Sequence, residues 1–315
     1  MYHYVRDLKN SRYPGIKGLD INLFSEQVKY LSTHYKLISM EELVHCIDNS
    51  DQLPAKSALL TFDDGYTDHY DYVMPVLQKH KMQGSFFPPA KAVLNNIVLD
   101  VNKIHFILAS VNDKNELIQE LFIKLNEYRN EYGLDTNEYY YASHAVARRR
   151  DDAETIFIKQ MLQVVLPEEL RLIICDHFFK KYVSADEAAF SRELYMSVEQ
   201  IKDLKERGMH IGSHGYDHYW LGSLSREKQE TEIDRSLGFL KLFGSVNGWT
   251  MCYPYGNYNN DTLDILGSRG CKLALTTKTD VAGLNAYKRF ELPRLDTNEI
   301  PVNASAATNG WFDKA

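Results

Sequence analysis

The chain has 315 residues, 44% hydrophobic and 25% charged, which are the proportions of a globular protein with a sizeable core. The formal net charge of −7 argues against a general nucleic-acid-binding protein, which would carry a basic surface. The four cysteines are widely spaced without a C-x-x-C pair, which excludes a zinc ribbon and favours reduced thiols. No stretch approaches the ~20 apolar residues of a membrane span. The start, MYHYVRDLKN, lacks the apolar core of a signal peptide, so a cytoplasmic location is predicted unless an export segment precedes Met1.

Strand patterns alternate with helix patterns in the first and last parts of the chain. After the β-prone MYHYV, the sequence predicts helices at about 24–34 and 40–48 around the strand YKLIS, then the strand SALLTF, the helix YDYVMPVLQKHK and the strand GSFFP. The alternation returns with the helix SVEQIKDLKERG, the strand MHIGSH, a helix over 225–243, the strand WTMCYP, the helix NDTLDILGSRG and the strand CKLALTT. This order indicates βα units around a parallel sheet or barrel.

The middle of the chain, residues 91–196, carries helical periodicity and few β-prone runs. A structureless loop of that length is rare in a compact domain, so we expect an inserted helical subdomain between residues 1–90 and 197–315. The insertion is expected to cap the active face or to provide the contacts of a homo-oligomer. Within it, RRRDD at 148–152 predicts either a solvated charged turn or a grip for a phosphate or acidic sugar.

Two adjacent aspartates, Asp63 and Asp64, follow a predicted buried strand in LLTFDDGY. Like charges at this spacing raise one another's pKa unless a cation or hydrogen bonds compensate. Two histidines, His214 and His218, follow another predicted strand in IGSHGYDH. Their spacing of four places both imidazoles on one side of a helical turn, where they either share a metal or satisfy local hydrogen bonds.

The position of these residues at strand ends favours a shared metal over local hydrogen bonds. The carboxyl ends of parallel strands in a βα array meet on one face, so one aspartate and both histidines would lie together there. Three such ligands leave a coordination position for water, as in hydrolytic zinc sites. The segment CYPYGNYN, residues 252–259, follows a third strand. It predicts either a tight aromatic turn or a rigid loop that directs a backbone N–H at an oxyanion and lines a sugar site with tyrosines.

In this order, TFDDG, SHGYDH and YPYG resemble the three motifs of the NodB-type polysaccharide deacetylases of carbohydrate esterase family 4. The first matches to the letter, the second has Gly215 where Ser or Thr is usual, and the third follows Cys252, where many members carry Arg. The resemblance covers most of the chain outside residues 91–196. It implies an α/β fold, a distorted (β/α)7-type barrel of mostly parallel strands, with the helical subdomain inserted.

The resemblance also implies roles for individual residues. Asp63 resembles the catalytic base, and Asp64, His214 and His218 resemble the metal ligands. The backbone N–H of Tyr255 resembles the donor to the oxyanion.

The general acid and the missing arginine need other sources. The family's last motif, a leucine-rich strand ending in His-Asp, has no counterpart, because the tail after RFELPRLDTN contains no histidine. MYHYV instead resembles the opening strand of a permuted branch, typified by the biofilm poly-N-acetylglucosamine deacetylases, in which the first strand supplies the acid histidine. His3 is then the implied acid, and a frayed terminal histidine is the alternative. Arg294, in LPRL, either replaces the missing arginine beside Asp63 or forms a surface salt bridge.

The implied activity is metal-dependent removal of an N-acetyl group from an amino sugar in surface-polysaccharide or glycoconjugate assembly. Zn²⁺ suits one aspartate and two histidines, and Co²⁺, Ni²⁺ or Mn²⁺ accept the same ligand types. A capped site would favour a small, nucleotide-linked or lipid-linked N-acetylated sugar over a long polymer. The alternatives are a sugar O-deacetylase or N-deformylase with the same site, and a non-catalytic carbohydrate-binding protein on a degenerate deacetylase fold.

Overall fold

The structure is a computed structural model that describes residues 1–148, 151–284 and 287–315. Arg149 and Arg150 of the predicted RRRDD segment therefore lie outside the described residues. The chain divides into two compact units. The first contains Met1–Asp7, Gly18–Ile97 and Ser191–Ala315, and the second contains Leu8–Lys17 and Val98–Phe190.

The strands are short, belong to the first unit and pair in parallel. Within the described ranges they are β1 Val5–Arg6, β2 Leu19–Asp20, β3 Lys36–Leu37, β4 Ser57–Ala58, β5 Leu60–Asp63, β6 Gly84–Phe87, β7 His210–Ile211, β8 Thr250–Cys252 and β9 Leu273–Leu275. They form four sheets, β1–β2, β3–β4, β5–β6–β7 and β8–β9. Isolated parallel bridges join Tyr2 to Phe62, Ser213 to Met251 and Leu275 to Leu292. The fold is mixed α/β with parallel strands, whereas a closed (β/α)7 barrel stays a prediction.

Helices make up most of the remaining regular structure. In chain order they are α1 Ile21–His34, α2 Met40–Asn49, α3 Met74–Lys79, α4 Ala90–Asn95, α5 Asp100–Ser110, α6 Lys114–Tyr132, α7 Asn137–His144, α8 Ala153–Gln160, α9 Glu168–Tyr182, α10 Glu187–Leu194, α11 Val198–Glu206, α12 Arg226–Leu240, α13 Asn260–Ser268 and α14 Gly310–Lys314. Among the described residues, none of these helices is both long enough and apolar enough to cross a membrane.

Local sequence signals explain several helix ends. Ser197 caps α11 and forms a reciprocal capping box with Gln200, as the sequence predicts. Ser225 caps α12 through Lys228 N–H. The predicted helix YDYVMPVLQKHK is divided into a π-turn over His69–Val73 and the α-helix α3. Pro75 lies in the first turn of α3, directly after the π-turn, and has no backbone N–H to donate to that turn.

The strand that precedes the aspartate pair lies in the centre of the first unit. Every residue of β5 is buried, and its partner β6 is also buried throughout. The Phe62 ring stacks between Tyr2, at 5.1 Å between ring centroids, and Phe86, at 4.8 Å. Because strands buried on both faces are held firmly by their neighbours, the carboxyl end of β5 is a rigid position from which to present side chains.

Candidate active site

The site is formed where three strands end. Asp63 is the last residue of β5 and Asp64 follows it, His214 lies three residues beyond β7, and Cys252 ends β8. The strand register explains the convergence, because β5, β6 and β7 run parallel and Ser213 bridges to Met251 of β8. Parallel strands place their carboxyl ends at one edge, so residues far apart in sequence meet there.

Asp64, His214 and His218 form a compact, buried cluster, and their ligand atoms all lie within 4.8 Å of one another. Asp64 Oδ1 lies 3.4 Å from His214 Nε2 and 3.5 Å from His218 Nε2. One carboxylate oxygen therefore faces two imidazole nitrogens, a donor set that suits Zn²⁺ and related divalent ions.

Hydrogen bonds around the cluster also fit a metal. His214 Nδ1 donates to the Cys252 carbonyl at 2.8 Å, which turns the other ring nitrogen, Nε2, toward Asp64 Oδ1 at 3.4 Å. Tyr66 Oη donates to Asp64 Oδ2 at 2.6 Å. Asp64 Oδ1 is buried without a hydrogen-bond partner among the described residues. An orphaned carboxylate oxygen beside two imidazoles is the arrangement expected of residues that share a cation.

The protonation tendencies of the cluster reflect the same contacts. Burial alone would raise the pKa of Asp64, but the adjacent imidazole of His214 and the charges of the neighbouring histidines hold it well below its usual range. Burial lowers the pKa of His218 to about 3, with the charge of His214 acting in the same direction. His218 is therefore a neutral imidazole, the form that can act as a ligand.

Three site residues have left-handed backbone conformations, with φ of 69° at Asp64, 60° at His218 and 57° at Tyr255. Such angles cost energy in residues other than glycine and persist only where the surrounding structure enforces them. Gly65 is one enforcing contact, because a Cβ at its φ of 64° would lie 2.6 Å from Pro88 Cβ. The turn after Asp64 is therefore held closely against the residues that follow β6.

Asp63 and Arg294 form a buried, bidentate ion pair. Arg294 Nη1 donates to Asp63 Oδ1 at 2.9 Å, and Nη2 donates to Oδ2 at 2.7 Å. The guanidinium is held by further bonds from Nε to the Thr276 carbonyl at 2.9 Å and from Nη1 to Thr61 Oγ1 at 3.1 Å. Only 5% of the Arg294 side chain and 2% of the Asp63 side chain are exposed, so the surface salt bridge considered from the sequence is wrong.

This ion pair determines the charge of Asp63. Burial by itself would raise the pKa of the carboxyl, but the positive charge of Arg294, followed by that of His214, holds it well below its usual range. Cys252, at the position where many family members carry Arg, is fully buried, and burial raises the pKa of its thiol. Cys252 is therefore a neutral thiol, and the guanidinium comes from Arg294.

Backbone hydrogen bonds of the N-terminal residues place His3 beside Asp63. Tyr2 N–H donates to the Thr61 carbonyl at 2.8 Å, and Asp63 N–H donates to the Tyr2 carbonyl at 2.9 Å. His3 Nε2 then lies 3.9 Å from Asp63 Oδ2, with 39% of its side chain exposed. His69 Nε2 donates to the His3 carbonyl at 2.7 Å. His3 is thus held by the backbone bonds of Tyr2 and by the His69 side chain, and it is not a frayed terminal residue.

Tyr255 lies in a tight turn over Pro254–Gly256 that packs against the end of β9. A Cβ on Gly256, whose φ is 66°, would lie 2.1 Å from Thr277 Oγ1. The Tyr255 ring meets the His218 ring edge to face, with 4.7 Å between centroids. The turn therefore places Tyr255 against the histidine cluster, as the motif order predicts.

Two residues with a role in the geometry were not among the sequence candidates. Tyr66 bonds the second oxygen of Asp64, and its position directly after TFDDG is the only signal for it. Trp220 stacks on Tyr255 with 4.3 Å between ring centroids. Nothing in the sequence distinguishes it from the other two tryptophans, because stacking partners depend on the folded loops.

Several solved structures share this fold. The Streptococcus pyogenes deacetylase PplD, in complex with acetate, has a TM-score of 0.55 and 18% identity and covers 94% of this chain and 89% of its own. IcaB from Ammonifex degensii has a TM-score of 0.54 and 20% identity, over 95% and 90% of the two chains. A de-N-acetylase from Aggregatibacter actinomycetemcomitans has a TM-score of 0.55 and 14% identity, over 98% and 95%. These similarities establish the fold.

Sequence relatives belong to the same group. The Bacillus subtilis (strain 168) protein named "Putative polysaccharide deacetylase YxkH" is 31% identical over 91 residues, which are 28% of this chain. The match spans 32% of that relative, so the chain covers about a third of its length. The polysaccharide deacetylase family model matches residues 50–147 and 175–274, which together are more than half of the chain and contain Asp63, Asp64, His214 and His218. The chain therefore belongs to the polysaccharide deacetylase family.

Proposed function

We propose that this chain is a metal-dependent hydrolase that removes the N-acetyl group of an amino sugar in a polysaccharide or glycoconjugate. The observation that carries the proposal is the buried Asp64, His214 and His218 cluster directly beside the ionised Asp63–Arg294 pair. A ligand set with an open position next to a charged base is the arrangement that hydrolytic metal sites use.

Asp64, His214 and His218 would hold the metal, and zinc fits these donors best. A bound divalent metal would polarise the acetyl carbonyl and lower the pKa of a water ligand from ~15.7 toward ~7. Binding of the ion would also satisfy the orphaned Asp64 Oδ1.

Asp63 is the proposed base that accepts a proton from the attacking water. The two guanidinium bonds keep the carboxylate ionised and fix its plane. Each carboxylate oxygen accepts one bond from Arg294 and retains a second lone pair for the transferred proton. Arg294 is thus a positioning residue that supplies the charge that the Cys252 position lacks.

His3 and Tyr255 complete the proposed machinery. His3 is partly exposed, so it can take up a proton from solvent and deliver it to the departing amine. The Tyr255 backbone N–H would stabilise the negative charge that develops on the carbonyl oxygen, and removing one such donor typically costs about 10²–10³ in rate.

Two motif departures that would favour a degenerate, non-catalytic protein have structural compensations. Arg294 provides the guanidinium that Cys252 does not, and it reaches Asp63 bidentately. Gly215 replaces a residue that is usually Ser or Thr, and Asp64, His214 and His218 still lie together with glycine at that position. The cluster of possible metal ligands and the buried Asp63–Arg294 pair occur together, which favours catalysis over sugar binding alone.

The arrangement of strands supports a related proposal, a distorted seven-stranded barrel that closes between the first and last strands. The Met1 amino group donates to the Leu295 carbonyl at 2.8 Å, and Thr297 N–H donates to the Met1 carbonyl at 3.1 Å. Tyr2 bridges to Phe62 on its other side. The N-terminal residues therefore link the segment after β9 with β5, the junction at which such a barrel would close.

The experiment is acetate release from N-acetylated sugars by the zinc-loaded chain and by Asp63→Asn. The variant should keep one metal ion per chain, measured by equilibrium dialysis, and should lose roughly 10²–10⁴-fold in turnover. Asp264→Asn, on an exposed aspartate, is the matched control and should behave as the parent chain. O-acetylated and N-formylated sugars are tested in parallel. Acetate and free amine in equal amounts from the N-acetylated sugar identify N-deacetylation, acetate without amine from the O-acetylated sugar identifies an O-deacetylase, and formate from the N-formylated sugar identifies an N-deformylase. Near-normal turnover by Asp63→Asn would show that Asp63 is not the base.

A further inference from the structure

A short ladder of aromatic rings leads outward from the metal cluster. The His218 ring contacts Tyr255 at 4.7 Å between centroids, and Tyr255 stacks on Trp220 at 4.3 Å with an interplanar angle of 8°. One face of the indole is covered by Tyr255, yet 37% of Trp220 remains exposed. An aromatic face held at the surface beside the proposed metal cluster is a surface on which a ligand ring can stack.

The loop that carries Trp220 is anchored. Leu221 is fully buried, and Gly222 N–H donates to Asn257 Oδ1 at 2.7 Å. Asn259 Nδ2 donates to the Gly222 carbonyl at 3.1 Å. A Cβ on Gly222 would lie 2.9 Å from both Asn257 Oδ1 and the backbone of Tyr258, so only glycine permits this close approach. Trp220 is therefore presented by a loop that is bonded to the Tyr255 loop, and the stacked pair forms one rigid unit.

We propose that the outer face of Trp220 binds the sugar residue next to the one that is deacetylated. The inference rests on the proposed function, and it names the substrate as a chain of at least two sugars. If the acetyl group lies at the Asp64 cluster, the sugar that carries it lies beside His218 and Tyr255. The next sugar of the oligosaccharide would then reach the ring of Trp220, which stacks on Tyr255. The apolar C–H face of a pyranose matches the flat, apolar indole face, and binding there removes both from water.

A second sugar on Trp220 makes the protein distinguish oligosaccharides from monosaccharides. The test compares kcat/KM for acetate release from N-acetylglucosamine and from its linear tetramer, using the zinc-loaded chain. Trp220→Ala should lower kcat/KM for the tetramer by roughly ten-fold, the factor that ~1.4 kcal/mol produces, mainly through KM. The ratio of tetramer to monosaccharide kcat/KM should fall with it. Trp220→Phe keeps an aromatic face and should restore most of the ratio.

Tyr72→Ala is the matched control, because Tyr72 is also 37% exposed but is not part of the aromatic ladder. It should leave the ratio unchanged. An equal effect of Trp220→Ala on both substrates, or no effect on either, would overturn the proposal.

A binding measurement separates this inference from the proposed function. Tryptophan fluorescence of Asp63→Asn should change saturably with the tetramer, and the change should disappear in the Asp63→Asn, Trp220→Phe double variant. Trp249, which is 1% exposed, and Trp311, whose indole N–H donates to Glu299 Oε2 at 3.0 Å, are present in both variants and give a common background. If the parent chain releases no acetate but this change is seen, the proposed activity fails and the sugar-binding site stands. If acetate is released but Trp220 fluorescence and the length preference do not respond, the sugar-binding site fails and the activity stands.

Discussion

The Arg294–Asp63 ion pair makes a quantitative prediction for stability. Replacing Arg294 with Met leaves the Asp63 carboxylate buried and unpaired, and breaking a buried ion pair in this way costs roughly 3–5 kcal/mol. Asp63→Asn leaves the guanidinium without its counter-charge and is expected to have a cost of similar size. Because both side chains are at least 95% buried and bonded to each other, the double variant should cost less than the sum, with a coupling energy of about 2–3 kcal/mol.

The assay is urea unfolding at pH 7 followed by tryptophan fluorescence. Trp220, Trp249 and Trp311 all lie in the first unit, so the signal reports the unit that contains the ion pair. Arg269 and Asp234 offer a matched control at the surface. They also pair through two bonds, Nε to Oδ1 at 3.0 Å and Nη2 to Oδ2 at 3.1 Å, but 30% and 51% of their side chains are exposed. The same double-mutant cycle on this pair should give a coupling energy below about 1 kcal/mol.

The pH dependence follows from the lowered pKa of Asp63 in the folded chain. An unfolded aspartate has a pKa of about 3.9, so the stabilisation is present above that pH and is lost as the pH falls from there toward the lower folded value. The opposite outcome of the double-mutant cycle is that the unfolding free energy lost by the double variant equals the sum of the two single losses within about 0.5 kcal/mol. That result would show that Asp63 and Arg294 are not coupled and would refute the buried ion pair.

Three further predictions concern residues around the site. Tyr66→Phe removes the hydrogen bond to Asp64 Oδ2 and should weaken zinc binding about 10–100-fold, measured by competition with a chromophoric chelator; unchanged affinity would rule out this role. Burial lowers the pKa of His69 from 6.5 to about 4. On acidification the unfolded chain therefore binds a proton at His69 at a higher pH than the folded chain does. Stability should fall by roughly 3 kcal/mol more between pH 7 and pH 4 in the parent than in His69→Gln, and equal slopes in urea unfolding would contradict this. Gly256→Ala places a Cβ against Thr277 Oγ1 at a positive φ and should lower both the unfolding midpoint and turnover, whereas Gly270→Ala, also at positive φ but with open space around it, should affect stability alone.

Motif order and strand alternation were sufficient to predict which distant residues meet. Asp64, His214 and His218 each follow a strand of a parallel array, and the folding rule for such arrays brings those positions together. The same rule does not predict which residue of a distant loop forms an ion pair with a side chain at a strand end. Arg294 lies 231 residues after Asp63, and the sequence left a surface salt bridge equally open.

Strand lengths and loop contacts were less predictable for physical reasons. YKLIS has the composition of a five-residue strand, but only Lys36–Leu37 pairs, because ladder hydrogen bonds depend on the neighbouring chain. Trp220 is one of three tryptophans in the sequence, and its stack on Tyr255 depends on the Gly222 contact between two loops. Tertiary contacts of this kind have no local signature.

The most direct test of the central claim is the release of acetate and free amine from a linear N-acetylglucosamine oligomer, before and after removal of the metal. The zinc-loaded chain should release the two products in equal amounts, a chelator should abolish release, and one equivalent of zinc should restore it. Release that persists in the fully metal-free chain, or no release from any N-acetylated sugar with one metal bound at Asp64, His214 and His218, would contradict it.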